Sequence, residues 1–208
     1  MKQIFVTGIS TEVGKTLAAA ILTEALQADY WKPVQAGDLH HTDSDKVGEL
    51  ISNGRSVIHP SAYALHTPMS PHAAAAIDGI RIDLAQIVPP QTDNLLVIEG
   101  AGGLLVPLNE QDTILDLIRP EYKVVVVSRH YLGSINHTLL TVHALLAKGF
   151  NVAILFSGDP HPTTEDIVRT KTGVPILGRI PELKEIEPGR IREEASRLRP
   201  ALESYLLS

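Results

Sequence analysis

The run Thr7-Gly8-Ile9-Ser10-Thr11-Glu12-Val13-Gly14-Lys15-Thr16 constrains this chain more than any other stretch. An apolar run, Ile4-Phe5-Val6, precedes it, and Leu17, Ala18, Ile21, Leu22 and Ala25 follow at helical spacing, so its glycines fall at a strand-to-helix turn. Backbone N–H groups in such a turn wrap an anion, and the helix N-terminus adds partial positive charge. Lys15 adds a full charge suited to β and γ phosphates, and the Thr16 hydroxyl suits Mg²⁺. An ordinary glycine turn capped by Ser10 or Thr11 has no need of Gly-Lys-Thr at the helix start; a bound nucleoside triphosphate does. Five residues separate Gly8 from Gly14, one more than in the common form of this loop.

A chain of 208 residues reads as one domain, 1–208, able to bury a core without staples. It has no cysteine, which excludes disulfides, thiolate catalysis and cysteine-held zinc or iron–sulfur clusters and fits a cytoplasmic protein. The apolar run near Met1 is too short for a signal-peptide core, and no later run is long enough to span a membrane, so a soluble protein without a membrane partner is expected. A net charge of −6 argues against a nucleic-acid groove. Arg190, Arg192, Arg197 and Arg199 alternate with Glu193 and Glu194 around an Ile191, Ala195, Leu198 stripe, the pattern of a docked helix with a solvated face.

Apolar β-rich runs at 2–6, 30–34, 95–98, 124–127, 152–156 and 175–177 alternate with helical patterns at 14–27, 44–52, 71–78, 113–118, 134–147, 164–171 and 190–206, the last interrupted by Pro200. Continuous apolar strands alternating with helices predict an α/β protein with a mostly parallel sheet covered on both faces. Ligands of such sheets bind beyond the carboxyl ends of the strands. The stretch 54–71 has no regular pattern and is expected to pass over that end of the sheet as an irregular excursion.

Three clusters follow strand ends. In Lys32-Pro33-Val34-Gln35-Ala36-Gly37 a lysine sits inside an apolar run, where it needs an anion or a snorkelling path to water. In His40-His41-Thr42-Asp43-Ser44-Asp45 the adjacent histidines diverge on any regular element, so they read as solvated loop; Asp45, at the expected helix start, is within reach of Mg²⁺. In Leu95-Leu96-Val97-Ile98-Glu99-Gly100-Ala101-Gly102-Gly103 a buried strand delivers a carboxylate before glycines that admit phosphate oxygens to the backbone, the place of a Mg²⁺ partner in a phosphate-loop protein.

Thr-Gly-x-x-Thr-Glu-Val-Gly-Lys-Thr at 7–16, Lys-Pro-Val-x-x-Gly at 32–37, Glu-Gly-Ala-Gly-Gly at 99–103 and Leu-Gly-x-Ile-Asn-His at 132–137 together resemble the dethiobiotin synthetases. Ser70-Pro71-His72 and Gly178-Arg179-Ile180-Pro181 are similar to segments of that family too, so the resemblance runs through essentially the whole chain. It implies a P-loop NTPase-like fold and an ATP- and Mg²⁺-dependent ligase of biotin synthesis that closes a ureido ring from 7,8-diaminononanoate and CO₂. It also implies a homodimer in which each substrate tail reaches the partner subunit. Carried over by the resemblance, Lys15 and Lys32 act on the phosphoryl group and the carbamate, and Thr11 and Glu12 orient diamine or phosphate. Glu12, Val13, Gly14, Lys15, Thr16, Leu17, Asp45, Glu99, Gly100, Ala101, Gly102, Ser157, Gly158, Pro181, Glu182 and Leu183 would meet the nucleotide. Thr16, Asp45 and Glu99 would hold the metal, and Lys32, Ala36, Gly133 and Ser134 the substrate.

Four positions depart from the family pattern. Ser10 stands for a frequent Asp, Tyr131 for a common Lys, and Ser157 for the Asn that usually reads the adenine edge. Ala36 stands where a substrate-contacting Ser is often found, which leaves that diamine contact missing or taken over by Gln35. The alternative is a partition or division-site ATPase, an interaction protein sharing the loop; such proteins usually carry an early loop lysine, where this chain has Ile9 and Ser10.

Overall fold

The computed structural model describes residues 3–207, with side chains through 206; Lys2, at the head of the expected first strand, lies outside them. Its strands are β1 (Gln3–Gly8), β2 (Asp29–Trp31), β3 (Val34–Ala36), β4 (Ile58–His59), β5 (Tyr63–Leu65), β6 (Leu96–Gly103), β7 (Lys123–Arg129), β8 (Asn151–Ser157) and β9 (Ile176–Ile180). Seven of them form one parallel sheet in the order β4-β2-β6-β1-β7-β8-β9, and β3 pairs with β5 in a second, small parallel sheet. The central strands are apolar without alternation because both faces are covered: Val124 to Val127 and Ala153 to Leu155 are fully buried.

The helices are α1 (Lys15–Leu26), α2 (Asp43–Leu50), α3 (Pro71–Ile77), α4 (Ser134–Ala147), α5 (Pro162–Thr172) and α6 (Pro188–Leu207). The crossover from β1 through α1 to β2 moves one way across the sheet, and that from β7 through α4 to β8 moves the other. Right-handed crossovers in opposite directions place their helices on opposite faces, and α1 accordingly packs with α2 and α6 while α4 packs with α5. The strand order therefore reverses around β1, between β6 and β7, and the carboxyl ends of those strands form the cleft.

Several expected elements are redrawn. The run 30–34 is two strands in different sheets, because Pro33 lacks an N–H and its carbonyl accepts from Ala62 N and Tyr63 N at 2.9 and 3.1 Å, which starts the β3–β5 pair. The stretch 54–71 contains β4 and β5 and ends at the first residue of α3; it is irregular before, between and after the two strands. Glu99 is not at a strand tip, since β6 continues to Gly103 with a register shift against β1. The pattern at 113–118 is a 3₁₀ helix, Ile114–Leu117. Helix α6 runs through Pro200 without a break; Leu198 and Leu202 are buried on either side of it, and that packing outweighs the missing N–H.

Candidate functional site

Between β1 and α1 the loop wraps tightly. A Cβ at Gly8 would lie 2.6 Å from Val13 Cγ2. At Gly14, whose φ of +91° starts α1 with no side-chain cap, a Cβ would lie 2.9 Å from Ser157 Oγ. Glu12 adopts φ +54°, a conformation uncommon for a residue with a side chain. Lys15 folds back over this frame, its Nζ donating to Ser10 O at 3.0 Å. Burial lowers its pKa to about 8, with Glu99 opposing the fall and Lys32 adding to it. Among the described residues it pairs with no carboxylate, a cation held out of water as an incoming polyphosphate requires.

Facing Lys15 is a buried network centred on Glu99, only 1% exposed. Its Oε1 accepts from Thr16 Oγ1 and from Lys32 Nζ, both at 2.9 Å, and its Oε2 accepts from the Tyr30 hydroxyl at 2.7 Å. Lys32 also donates to Asp43 Oδ2 at 2.5 Å. Burial works to lower the Lys32 pKa, but Glu99 and Asp43 together hold it above its ordinary value. Burial likewise opposes ionisation of Asp43, which Lys32 nevertheless keeps below the usual carboxylate range. The strands explain the arrangement: Lys32 leaves β2 at the break before Pro33, Glu99 stands in the adjacent β6, and Thr16 enters α1 above them.

A cleft of about 1230 Å³ joins these groups. Thr11, Glu12, Gly14, Lys15, Thr16 and Leu17 form its floor; Lys32, Ala36, Asp43, Glu99, Ala101 and Gly102 form one side, and Ser157, Pro181, Glu182 and Leu183 another. Other expected residues sit apart. Val13 is buried under the loop, so only its backbone can face the cleft. Gly100 points away from Glu99, toward Phe5 and Ile114, as strand alternation requires. Gly158 is buried and spends its N–H on Ile180 O. Gly133, with φ +101°, starts α4, and Ser134 is buried behind it without capping the helix; neither lines the cleft of a single chain. His40 is exposed, and His41 bonds Glu49 at 3.1 Å on the surface.

Asp45 requires correction. Its Oδ2 accepts from the Thr42 backbone N–H and hydroxyl at 2.8 and 2.6 Å, and its own N–H donates back to Thr42 Oγ1: a capping box that turns the carboxylate to solvent and away from the cleft. Helix α2 begins two residues earlier than Asp45, and Asp43 is the carboxylate that faces Lys32. The signal was present, since Thr42-x-x-Asp45 is itself the spacing of a capping box. Tyr30, read only as strand, gave no sequence signal of its contact with Glu99.

A family model described as an AAA domain matches residues 2–190. The ATP-dependent dethiobiotin synthetase BioD of Christiangramia forsetii is 54% identical over 97% of this chain and 98% of its own length. The protein of the same name from Cytophaga hutchinsonii is 53% identical over 85% of this chain and 87% of its own. Among solved structures, a putative plasmid partition protein from Borrelia burgdorferi superposes with a TM-score of 0.62 at 14% identity, covering 98% of both chains. A ParA family ATPase from Chlorobium tepidum gives 0.57 at 13%, covering 100% of this chain and 98% of its own. At such identities the structural likeness establishes the P-loop fold alone, whereas identity of about half along nearly the whole length establishes descent: the chain belongs to the dethiobiotin synthetase family.

Proposed function

We propose that the protein is an ATP-dependent carbon–nitrogen ligase that forms the ureido ring of dethiobiotin from 7,8-diaminononanoate and CO₂, releasing ADP and phosphate. The observation that carries this reading is the placement of Lys32 and Glu99 opposite Lys15 and Thr16 in one cleft, in a chain half identical to synthetases of that name. One amine adds to CO₂ and loses a proton, giving a carbamate. The carbamate oxygen attacks the γ-phosphorus as ADP leaves; the second amine, once its ammonium has given up a proton, attacks the resulting anhydride carbon, expels phosphate and releases a further proton to solvent. Negative charge grows at each stage beside Lys15 and Lys32, so the site works by positioning and electrostatic stabilisation. Thr11 and Glu12 line the same cleft and would orient the reactants.

Thr16, Asp43 and Glu99 offer only hydroxyl and carboxylate oxygens, a hard donor set that suits Mg²⁺ and would hold it against the triphosphate; when bound it neutralises phosphate charge. Asp43 takes the role that Asp45 cannot reach. Ser157 with Pro181, Glu182 and Leu183 forms the wall on which the base would lie.

The chain is proposed to act as a single cytoplasmic domain without nucleic-acid or membrane partners; no helix among the described residues is long and apolar enough to cross a membrane. A homodimer is supported by exposed Leu132, Ile135 and Leu140 around the start of α4, next to Gly133 and Ser134. Wild type should sediment as a dimer and Leu132→Asp as a monomer. The activity is tested by phosphate release from ATP with and without diamine and bicarbonate. A ligase is nearly silent until both are present; release that ignores them and responds to DNA or membrane would replace this reading with a partition-type ATPase.

A further inference from the structure

Ring closure requires the second amino group of the diamine to be held beside the carbamate. Ala36 lines the cleft, and its methyl offers no hydrogen bond. The buried Gln35 amide is held in place on its own turn, Nε2 donating to Gly37 O at 3.0 Å and Oε1 accepting from Asp43 N at 3.3 Å, and it carries no charge to offer a cation. Asp38 is the next carboxylate on the same turn. It lines the cleft and is exposed, and its side chain makes no hydrogen bond or ion pair among the described residues.

The backbone that presents it is unusual and fixed. Gly37 and Asp38 are consecutive left-handed residues, with φ of +74° and +53°. Gly37 N donates to Leu65 O at 2.8 Å, His41 N donates to Asp38 O at 3.0 Å, and a Cβ at Gly37 would lie 2.6 Å from Pro68 Cβ. Gly37 adopts this conformation freely, whereas Asp38 is a non-glycine residue held in it by the flanking contacts, and this turn places Asp38 on the cleft lining. The substrate proposed above carries two alkylamines, each cationic at neutral pH by analogy with lysine. A carboxylate meets such a group with a hydrogen bond between opposite charges, where a hydroxyl supplies the hydrogen bond without the charge.

Resting on the ligase reading, we infer that Asp38 holds the amino group of the diamine that is not taking up CO₂, supplying beside Ala36 the polar contact that its methyl cannot. It is a specificity-determining contact to the substrate and touches neither nucleotide nor metal.

The test is steady-state kinetics with diamine and ATP varied separately, together with calorimetric diamine binding. Asp38→Ala should raise the diamine KM about ten- to a hundredfold, the span of a hydrogen bond to a charged group, and leave the ATP KM within about twofold. Asp38→Asn keeps the tolerance for positive φ, so a rise there isolates the charge from any folding defect. Adding Ala36→Ser to Asp38→Ala should recover part of the loss. A diamine KM and affinity unchanged in both Asp38 variants overturn this inference and leave the ligase standing. A wild type that neither binds nor consumes the diamine overturns both.

Discussion

Lys32 donates to Glu99 Oε1 at 2.9 Å, and the Thr16 hydroxyl donates to the same oxygen at the same distance. One buried carboxylate oxygen thus ties the Lys32 cation, proposed to meet the substrate, to the Thr16 hydroxyl, proposed to meet the metal. If Mg²⁺ were held by the Glu99 and Asp43 oxygens, it would compete with Lys32 for both of its partners and leave the lysine charge available to the proposed carbamate.

Lys32→Gln is therefore expected to depress kcat by about 10²–10³, the usual cost of removing one donor from a developing anion, and to raise the diamine KM. ATP binding should persist, because Lys15 and the loop amides remain. Calorimetric loss of ATP binding in a folded Lys32→Gln protein would move this lysine into the nucleotide site.

Lys15 carries a pH signature. Its pKa falls from 10.5 unfolded to about 8 folded, a difference worth about 3 kcal/mol against the folded state at neutral pH. Between pH 8 and 10.5 the unfolded chain binds the extra proton, so this contribution to stability improves as pH rises through that window. Lys15→Met should thus raise the denaturation midpoint of the ligand-free protein at pH 7, with a gain that shrinks toward pH 10, while turnover is lost. A Lys15→Met protein less stable than wild type at pH 7 contradicts the burial cost.

The metal assignment separates two carboxylates two residues apart. Asp43→Asn should raise the Mg²⁺ concentration needed for phosphate release at least about tenfold. Asp45→Ala should lower the Tm slightly through the lost capping box and leave the Mg²⁺ requirement alone. The double change His40→Ala with His41→Ala should do neither, since imidazole suits softer metals. Equal Mg²⁺ effects from Asp43 and Asp45 would mean that α2 begins differently in the working enzyme.

The parts legible in the sequence were those set by local chemistry: the strand–loop–helix around Lys15, the carboxylate of β6, and α4 over 134–147. What stayed hidden depends on tertiary placement. Pro33 breaks 30–34, yet only the pairing of β3 with β5 shows that the chain leaves for another sheet there. Asp43 and Asp45 both stand near the same helix start, and the choice between them follows from which one Thr42 captures. Tyr30 and Glu99 are 69 residues apart and meet only because β2 and β6 are neighbours. Asp38 has no motif at all; its interest comes from a backbone angle.

Base choice gives the last prediction. Ser157 ends β8, buried between Arg129 of β7 and Ile180 of β9 in register, and its Oγ lies against Gly14. An Asn at this place offers a donor and an acceptor together and can match the adenine edge in two hydrogen bonds, whereas a short hydroxyl serves as either partner. Losing a paired readout costs discrimination of about 1–3 kcal/mol, by analogy with bidentate base recognition. Phosphate contacts do not depend on the base, so CTP or GTP should support dethiobiotin formation at a kcat/KM within about a hundredfold of ATP. Ser157→Asn should sharpen the preference for ATP. The Arg129–Glu182 pair at 3.1 Å is exposed at the same wall, and its side chains compete weakly with water for any base. Rejection of every other base by a much larger factor in wild type would assign adenine recognition to backbone groups of Pro181, Glu182 and Leu183, and Ser157→Asn would then change little.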